Sequence, residues 1–248
     1  MKWRIIPLQT SSAFLNMAID QSVSESVAKK ESPPTIRFYQ WKPSAVSIGY
    51  FQSMDDEVDT TKCKELNIDI IRRRTGGGAV YHDFNGEITY SVIMPETLIN
   101  TGITESYHII CGWIVKSLSL LGITAEFKPI NDIIAGGKKI SGNAQTRRNG
   151  VVLQHGTILY DVDVDKMFSL LKVPDEKIRD KMIAAVKDRV TRILNFKNIS
   201  KDELYQALLK GFTEGKDWEF AQLTEKEKLY AEELAENLYK TKEWNFKR

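Results

Sequence analysis

Hydrophobic and polar positions along the chain alternate between two periods, and the changes of period mark its elements. Over residues 12–29 the apolar side chains Phe14, Met17, Ala18 and Val23 recur at helical spacing, Ser11 or Ser12 stands ready as a cap, and Pro33-Pro34 prevents continuation. Residues 35–41 alternate with period two, as a half-buried strand does. After the Lys42-Pro43-Ser44 turn, residues 45–51 are predicted to pair with that strand as a hairpin. Residues 55–66 read as a helix with acidic residues in its first turn, where the helix dipole favours them. Residues 68–72 and Val80-Tyr81 are strand segments on either side of a glycine run, and residues 87–94 form another alternating strand.

The most apolar helix is expected over residues 107–121, closed by Gly122, with a short extended piece at 125–127. Strands at about 139–145 and 151–160 are joined by Arg147-Arg148-Asn149-Gly150, in which Asn-Gly is a hairpin signal. From about residue 163 the pattern is helical: 164–171, then from Pro174 to about Val186, then 201–215 and 224–240. Strands connected mostly by hairpins, with helices interspersed, predict an α+β fold on a mainly antiparallel sheet with packed helices.

Composition narrows the function. The 248 residues are 42% hydrophobic and 27% charged, which suits a single domain over 1–248 with a helical part at about 163–248. The net charge of +2 lacks the broad basic footprint of a nucleic-acid binder, so no nucleic-acid partner is expected. Positive charge is local, at Arg72 to Arg74, Lys138-Lys139 and Arg147-Arg148, which suits small anionic ligands. Cys63 and Cys111 read as reduced intracellular thiols. The N-terminus is too polar for a secretory signal and no apolar run spans a bilayer, so a soluble, cytoplasmic protein without a membrane partner is expected.

Three stretches carry candidate chemistry. In Arg72-Arg73-Arg74-Thr75-Gly76-Gly77-Gly78-Ala79-Val80-Tyr81-His82-Asp83, glycines let the backbone approach a ligand and arginines supply planar donors for phosphate or carboxylate. A tight hairpin with exposed arginines is the plain alternative. The stretch is neither a P-loop nor a dinucleotide fingerprint. The second stretch, from Asn131-Asp132 through Gly136-Gly137-Lys138-Lys139 to Ser141-Gly142-Asn143-Ala144, brings a carboxylate, a turn and two lysines together. If a strand begins near Lys138, only one of the lysines can look into a pocket; taken alone, the stretch is slightly better described as a polar hairpin with solvated lysines. The third is Gln154-His155-Gly156-Thr157, whose histidine is structural or catalytic. No Cys/His metal spacing occurs, so no tightly bound transition metal is expected.

Taken together, Arg-Arg-x-Thr-Gly-Gly-Gly-Ala-Val-Tyr-His-Asp at 72–83, Asn131-Asp132, Lys139-Ile140-Ser141-Gly142 and His155-Gly156-Thr157 resemble the lipoate–protein ligase A family. Arg37-Phe38-Tyr39, Gly49-Tyr50-Phe51-Gln52 and Glu243-Trp244-Asn245 extend the likeness over nearly the whole chain. The resemblance implies a biotin/lipoate-ligase-like (class II synthetase-like) fold and a two-step reaction. Lipoate and ATP, with Mg²⁺, give lipoyl-AMP; the acyl group then passes to a lysine of a lipoyl domain of a 2-oxoacid dehydrogenase or of a glycine-cleavage H protein.

By the same resemblance, Arg73, Thr75 and Gly76, Gly77 and Gly78 line the lipoyl and phosphate part of the site, supported by His82. Asp132, beside Asn131, holds Mg²⁺ or orients ATP. Lys139 is the catalytic lysine at the acyl-phosphate oxygens, and Ser141, Gly142, Ala144, His155 and Thr157 complete the wall.

Full-length ligases of the family carry a small accessory domain after the large one, which the resemblance does not extend to, so the expectation is that a separate accessory protein serves adenylation or that the chain is a transferase. The pattern is also similar to an octanoyl-carrier-protein octanoyltransferase that works through a cysteine thioester. Where that cysteine would stand, this chain has Pro129-Ile130-Asn131-Asp132 or Val152-Leu153-Gln154, which favours the ligase. A non-catalytic acyl- or nucleotide-binding subunit would be expected to have lost part of the Arg73, Asp132 and Lys139 set.

Overall fold

In the computed structural model, which describes residues 1–172, 184 and 187–248, the expected α+β architecture on a mostly antiparallel sheet is present. The helix expected from Pro174 to about Val186 lies outside the described residues, apart from residue 184. The strands are β1 Trp3–Ser11, β2 Thr35–Trp41, β3 Ala45–Ile48, β4 Asp69–Arg72, β5 Val80–His82, β6 Glu87–Pro95, β7 Ala125–Lys128, β8 Asp132–Ala135, β9 Lys138–Arg148, β10 Val151–Leu159 and β11 Trp218–Phe220. The helices are α1 Ala13–Ala28, α2 Met54–Glu57, α3 Thr60–Glu65, α4 Ile103–Leu120, α5 Val164–Leu170, α6 Lys201–Thr213, α7 Glu225–Leu234 and α8 Lys242–Asn245. None of the described helices is long and apolar enough to cross a membrane.

Among the described residues, eight strands form one sheet in the order β11-β1-β2-β6-β10-β9-β8-β7, and three form a second in the order β4-β3-β5. On one face of the large sheet, Phe38, Tyr90, Val92, Val152 and Ile158 pack with α4 and α6 into the main core. On the other, Tyr39, Trp41, Ile93, Val151 and Leu153 pack against α1 and α7. Burying each such side chain contributes roughly 1.5–3 kcal/mol, so two apolar layers hold the sheet between them.

Local signals set the helix starts. Ser12 Oγ accepts from Leu15 N at α1, and full capping boxes at Ser200/Glu203 and Thr224/Glu227 open α6 and α7. Glu227 also takes both terminal nitrogens of buried Arg4 at 2.7 Å, tying α7 to β1.

Several expectations are corrected. The chain does not return from β2 to β3 as a hairpin: β3 leaves the large sheet and pairs with β4 and β5. The predicted helix at 55–66 is two short helices, because Val58 bridges Leu171 and Asp59 N donates to Leu170 O before Asp59 caps α3. β2 is not half-exposed; its polar Thr35 and Arg37 are buried under α1 and its neighbours. The stretch after Asn131 is itself a strand, β8, folded back onto β9.

Candidate active site

β4 ends in Arg72, and the next residue, Arg73, builds the glycine loop. Its guanidinium is buried and spends its donors locally. Nη2 donates to the carbonyls of Gly76 (2.8 Å) and Gly78 (2.7 Å), and Nε donates to Thr75 Oγ1 (3.1 Å). Nη1 donates to Ser47 Oγ (3.1 Å) and to the Ser47 carbonyl (3.2 Å). Gly77 sits at φ +97°, and a Cβ there would lie 2.8 Å from Arg73 Nη2, so only glycine fits. With two of the loop's carbonyls held by Arg73, the N–H groups of Gly76, Gly77 and Gly78 have no partner among the described residues. Such a run of open donors suits an anionic oxygen.

Two hydroxyls connect Arg73 to two histidines. Thr75 Oγ1 lies 2.8 Å from His155 Nε2, and Ser47 Oγ lies 2.8 Å from His82 Nε2. Each hydroxyl accepts from Arg73 and still has its hydrogen to donate, and the other ring nitrogen, Nδ1, faces a carboxylate that can only accept. The bonding pattern therefore assigns the ring proton to Nδ1 in both histidines. Nδ1 of His155 faces Asp20 Oδ2 at 3.3 Å, and Nδ1 of His82 faces Glu87 Oε1 at 2.7 Å. Asp20 also takes Arg37 Nη1 and Ser91 Oγ, both at 2.7 Å.

The whole network is buried. Burial opposes the charge of Asp20, but Arg37 and His155 outweigh it and hold the carboxyl below its ordinary value. Burial pushes His155 down, favouring the neutral ring that the tautomer assignment requires. Burial also pushes Arg73 down to about 10, which leaves it cationic at neutral pH.

The second half of the site depends on a bulge. Ile133 pairs with Ser141 and Ile134 with Lys139, so Ile140 on β9 has no opposite number. The extra residue changes the alternation. Ile140 and Ser141 both turn to the main core, while Lys139 comes to the face that carries Asp132 and Gly142. Lys138, one residue earlier, takes the opposite face, so one lysine of the pair enters the site. Lys139 Nζ lies 2.6 Å from Asp132 Oδ1, and both side chains are about one-third exposed (39% and 34%). Oδ1 itself is buried, and the Lys139 ammonium is the partner it has among the described residues. A Cβ on Gly142 would come within 2.8 Å of Lys139 Cε, so the bare glycine makes the room the lysine uses. The main chain of Lys139 is clamped from behind, donating to Arg189 O (2.7 Å) and accepting from Thr191 N (2.8 Å).

Register extends this face. Gly142 pairs with Thr157 and Ala144 with His155, so Lys139, Asp132, Gly142, Ala144, His155 and Thr157 share one side of the sheet, against which Thr75 docks. Asn131 and Ser141 do not join them through their side chains. Asn131 and Asn143 exchange side-chain-to-carbonyl bonds, and Ser141 Oγ lies 3.4 Å from Asn143 Nδ2.

The thiols are elsewhere. Gln154, one residue from His155 and so on the opposite face, approaches Cys111 Sγ at 3.8 Å, and Cys63 packs in the cluster of the small sheet. Burial pushes Cys63 up to about 11 and Cys111 up to about 12. Among the described residues no three His, Cys, Asp or Glu side chains gather to hold a metal.

Sequence reasoning missed Asp20 and Glu87. The available signal for Asp20 was Asn16 and Asp20, four apart on a helix that is buried nearly all round.

Comparison with known proteins adds to the geometry. The family described as "Lipoyl protein ligase A/B catalytic domain" matches residues 12–213. An octanoyltransferase LipM of Anoxybacillus flavithermus is 36% identical, with 99% of this chain and 98% of that protein covered. Among solved structures, a bi-partite lipoate protein ligase from Thermoplasma acidophilum, studied with its E2 lipoyl domain, superposes with a TM-score of 0.89 at 36% identity, covering 99% of this chain and 96% of that one. A lipoate-protein ligase A bound with ATP gives 0.87 at 34% identity, covering 99% of each chain.

Proposed function

The chain belongs to the lipoyl protein ligase A/B family, and from that premise we propose that it is a lipoate–protein ligase acting as one catalytic unit over residues 1–248. It joins lipoate to ATP as lipoyl-AMP and passes the lipoyl group to the ε-amine of a carrier-domain lysine. The observation that carries this reading is the Lys139–Asp132 pair at 2.6 Å on a face without a thiol, while both cysteines are buried elsewhere with raised pKa values.

In the first step a carboxylate oxygen attacks the α-phosphorus of ATP and the bond to pyrophosphate breaks. The open N–H groups of Gly76 to Gly78 and the Lys139 ammonium would stabilise the oxygens on which charge gathers. Arg73 acts by fixing the loop, and His82 and His155 hold Arg73's hydroxyl partners. Asp132 fits Mg²⁺ as a part-exposed carboxylate on the site face whose Oδ1 is held only by the Lys139 ammonium, and this ion is commonly held by one or two carboxylates plus substrate phosphates. Bound there, Mg²⁺ would neutralise phosphate charge. In the second step the carrier amine attacks the acyl carbon, the C–N bond forms, AMP leaves, and the proton goes to solvent. Ala144 and Thr157 would wall the acyl group.

The partners proposed are lipoyl domains of 2-oxoacid dehydrogenases or a glycine-cleavage H protein. A separate accessory subunit for adenylation is proposed by likeness to the bi-partite ligase. The test is Lys139→Ala with the fold checked by circular dichroism: acyl-adenylate formation and carrier modification should both disappear, and wild-type turnover would remove the assignment.

A second reading, octanoyl transfer from an acyl-carrier protein through a cysteine thioester, is favoured by the LipM relatives, which match the chain along its length. It would require a thiol to ionise. Cys111 would have to do so from the far side of the sheet.

A further inference from the structure

The segments Gly49-Tyr50-Phe51-Gln52 and Trp244-Asn245 have no part in the chemistry above, yet Arg72 ties them together. Its Nη1 donates to the carbonyls of Gly49 (3.2 Å), Tyr50 (2.9 Å) and Gln52 (2.5 Å), its Nε to Trp244 O (3.0 Å) and its Nη2 to Asn245 O (2.9 Å). Trp244 Nε1 returns a bond to Arg72 O at 2.7 Å. Arg72 immediately precedes the residue that builds the glycine loop, and Tyr50 N donates to Thr75 O at 2.9 Å. The two segments are therefore rigidly continuous with the candidate site.

Their outer surface concentrates cations on aromatic rings. Lys247 Nζ lies 3.4 Å from the Tyr50 ring centroid and 4.0 Å from that of Trp244, and the Arg148 guanidinium lies 5.2 Å from Tyr50. Arg248 stands 5.2 Å from the ring of Phe51, which is 69% exposed. Cations over rings gain from the quadrupole, but their charge is not neutralised. Among the described residues no Asp or Glu side chain lies within ion-pair distance of Arg148, Lys247 or Arg248, although the chain as a whole is nearly balanced at +2. Burial pushes the Lys247 pKa down against the opposing pull of Tyr50, and the nearby charges of Arg72 and Arg248 add smaller downward contributions.

We propose that this basic, aromatic face beside the glycine loop docks the acyl-accepting carrier protein through an acidic surface on that partner. The proposal rests on the ligase reading, since it supplies the second substrate of that reaction. A partner that presents an amine to an acyl-adenylate must be held close to the loop, and charge complementarity at a rim sets the encounter rate and orientation more than the chemical step. Phe51 gives the contact an exposed apolar anchor of the kind that concentrates binding energy.

The test compares wild type with Arg148→Glu/Arg248→Glu, using direct binding of a purified apo lipoyl domain by calorimetry alongside acyl-adenylate formation. The double variant should bind the carrier roughly tenfold more weakly or worse, with a flatter salt dependence, while forming acyl-adenylate, with the accessory subunit supplied to both proteins, at the wild-type rate. Phe51→Ala should weaken carrier binding without altering the salt dependence. Unchanged carrier affinity in the charge variant overturns the proposal. So does loss of acyl-adenylate formation in that variant, which would make the patch part of the small-substrate site. Phosphatidylglycerol vesicles that bind wild type and lose affinity for the variant, with carrier affinity unchanged, would assign the face to anionic lipid instead. Carrier binding is read without turnover, so the docking result stands apart from whether lipoate is the acyl group.

Discussion

Thr75 Oγ1 and His155 Nε2, eighty residues apart in sequence, lie 2.8 Å apart in the buried layer under the glycine loop. That contact joins the loop to the large sheet, and its direction is set at both ends: Arg73 donates to the hydroxyl, and Asp20 accepts from the imidazole Nδ1–H. The equivalent route through Ser47, His82 and Glu87 also ends on Arg73. The loop's shape is thus fixed by buried polar bonds, which are favourable when complete and costly when one member is removed.

Asp20→Asn should therefore act on the loop from a distance. Removing one partner of the buried Asp20–Arg37 pair costs roughly 3–5 kcal/mol of stability, and the His155 tautomer is no longer imposed. Thr75→Val breaks the same route at its other end. In a double-mutant cycle read by kcat/KM for carrier modification, the two should be clearly non-additive. Additive losses would mean that Asp20 does not act through His155.

Gly142→Ala tests the room made for Lys139. The new methyl would sit 2.8 Å from Lys139 Cε and 2.9 Å from Nζ, so the lysine must leave Asp132. The far end of a lysine moves easily, so the melting temperature should change little. Misplacing a charge-stabilising group by about 1 Å can cost about 100-fold in rate, and a loss of that order in kcat is expected. Stopped-flow or quenched measurement of acyl-adenylate formation, beside calorimetry, separates the two effects.

Acidification should destabilise the fold in two stages. The His155 pKa is lower in the fold than the ordinary 6.5, so the unfolded chain takes up the proton first and stability present above 6.5 is lost as pH falls. Asp20 is likewise lowered from 3.8, so its contribution is lost in a second stage below that value. The melting temperature of wild type should fall more steeply than that of His155→Gln between about pH 7 and about pH 5. Parallel curves would contradict a neutral, buried His155.

Much of this was legible in the sequence, and the exceptions have physical causes. The glycine run and the rule that only one of Lys138-Lys139 can face a pocket follow from glycine freedom and strand alternation, whereas Arg73 and Lys139 in particular are singled out by the family resemblance. The bulge at Ile140 is set by pairing with β8, a strand whose four residues carry too short a pattern to read. The alternation over Thr35 to Trp41 suggested an exposed face, but Arg37 is buried with Asp20, a partner only the packed helix can supply. The false hairpin at β3 has a similar origin, since a short turn between two strands does not decide whether the second stays in the same sheet. Asp20 was hidden because a carboxylate on a helix ordinarily faces water, and only tertiary contacts reveal the buried arginine and histidine around it.

The central claim, acyl transfer through an acyl phosphate at Lys139 rather than through a cysteine thioester, is tested most directly by the mass gained by a purified apo lipoyl domain. Wild type and the Cys63→Ser/Cys111→Ser variant would each be given lipoyl-AMP, lipoate with ATP and Mg²⁺, or octanoyl-carrier protein without ATP. Both proteins should transfer the lipoyl group from lipoyl-AMP, with transfer from lipoate and ATP requiring the accessory subunit if that step is divided, and neither should use octanoyl-carrier protein. Octanoyl transfer by wild type that disappears in the folded cysteine variant would contradict the account.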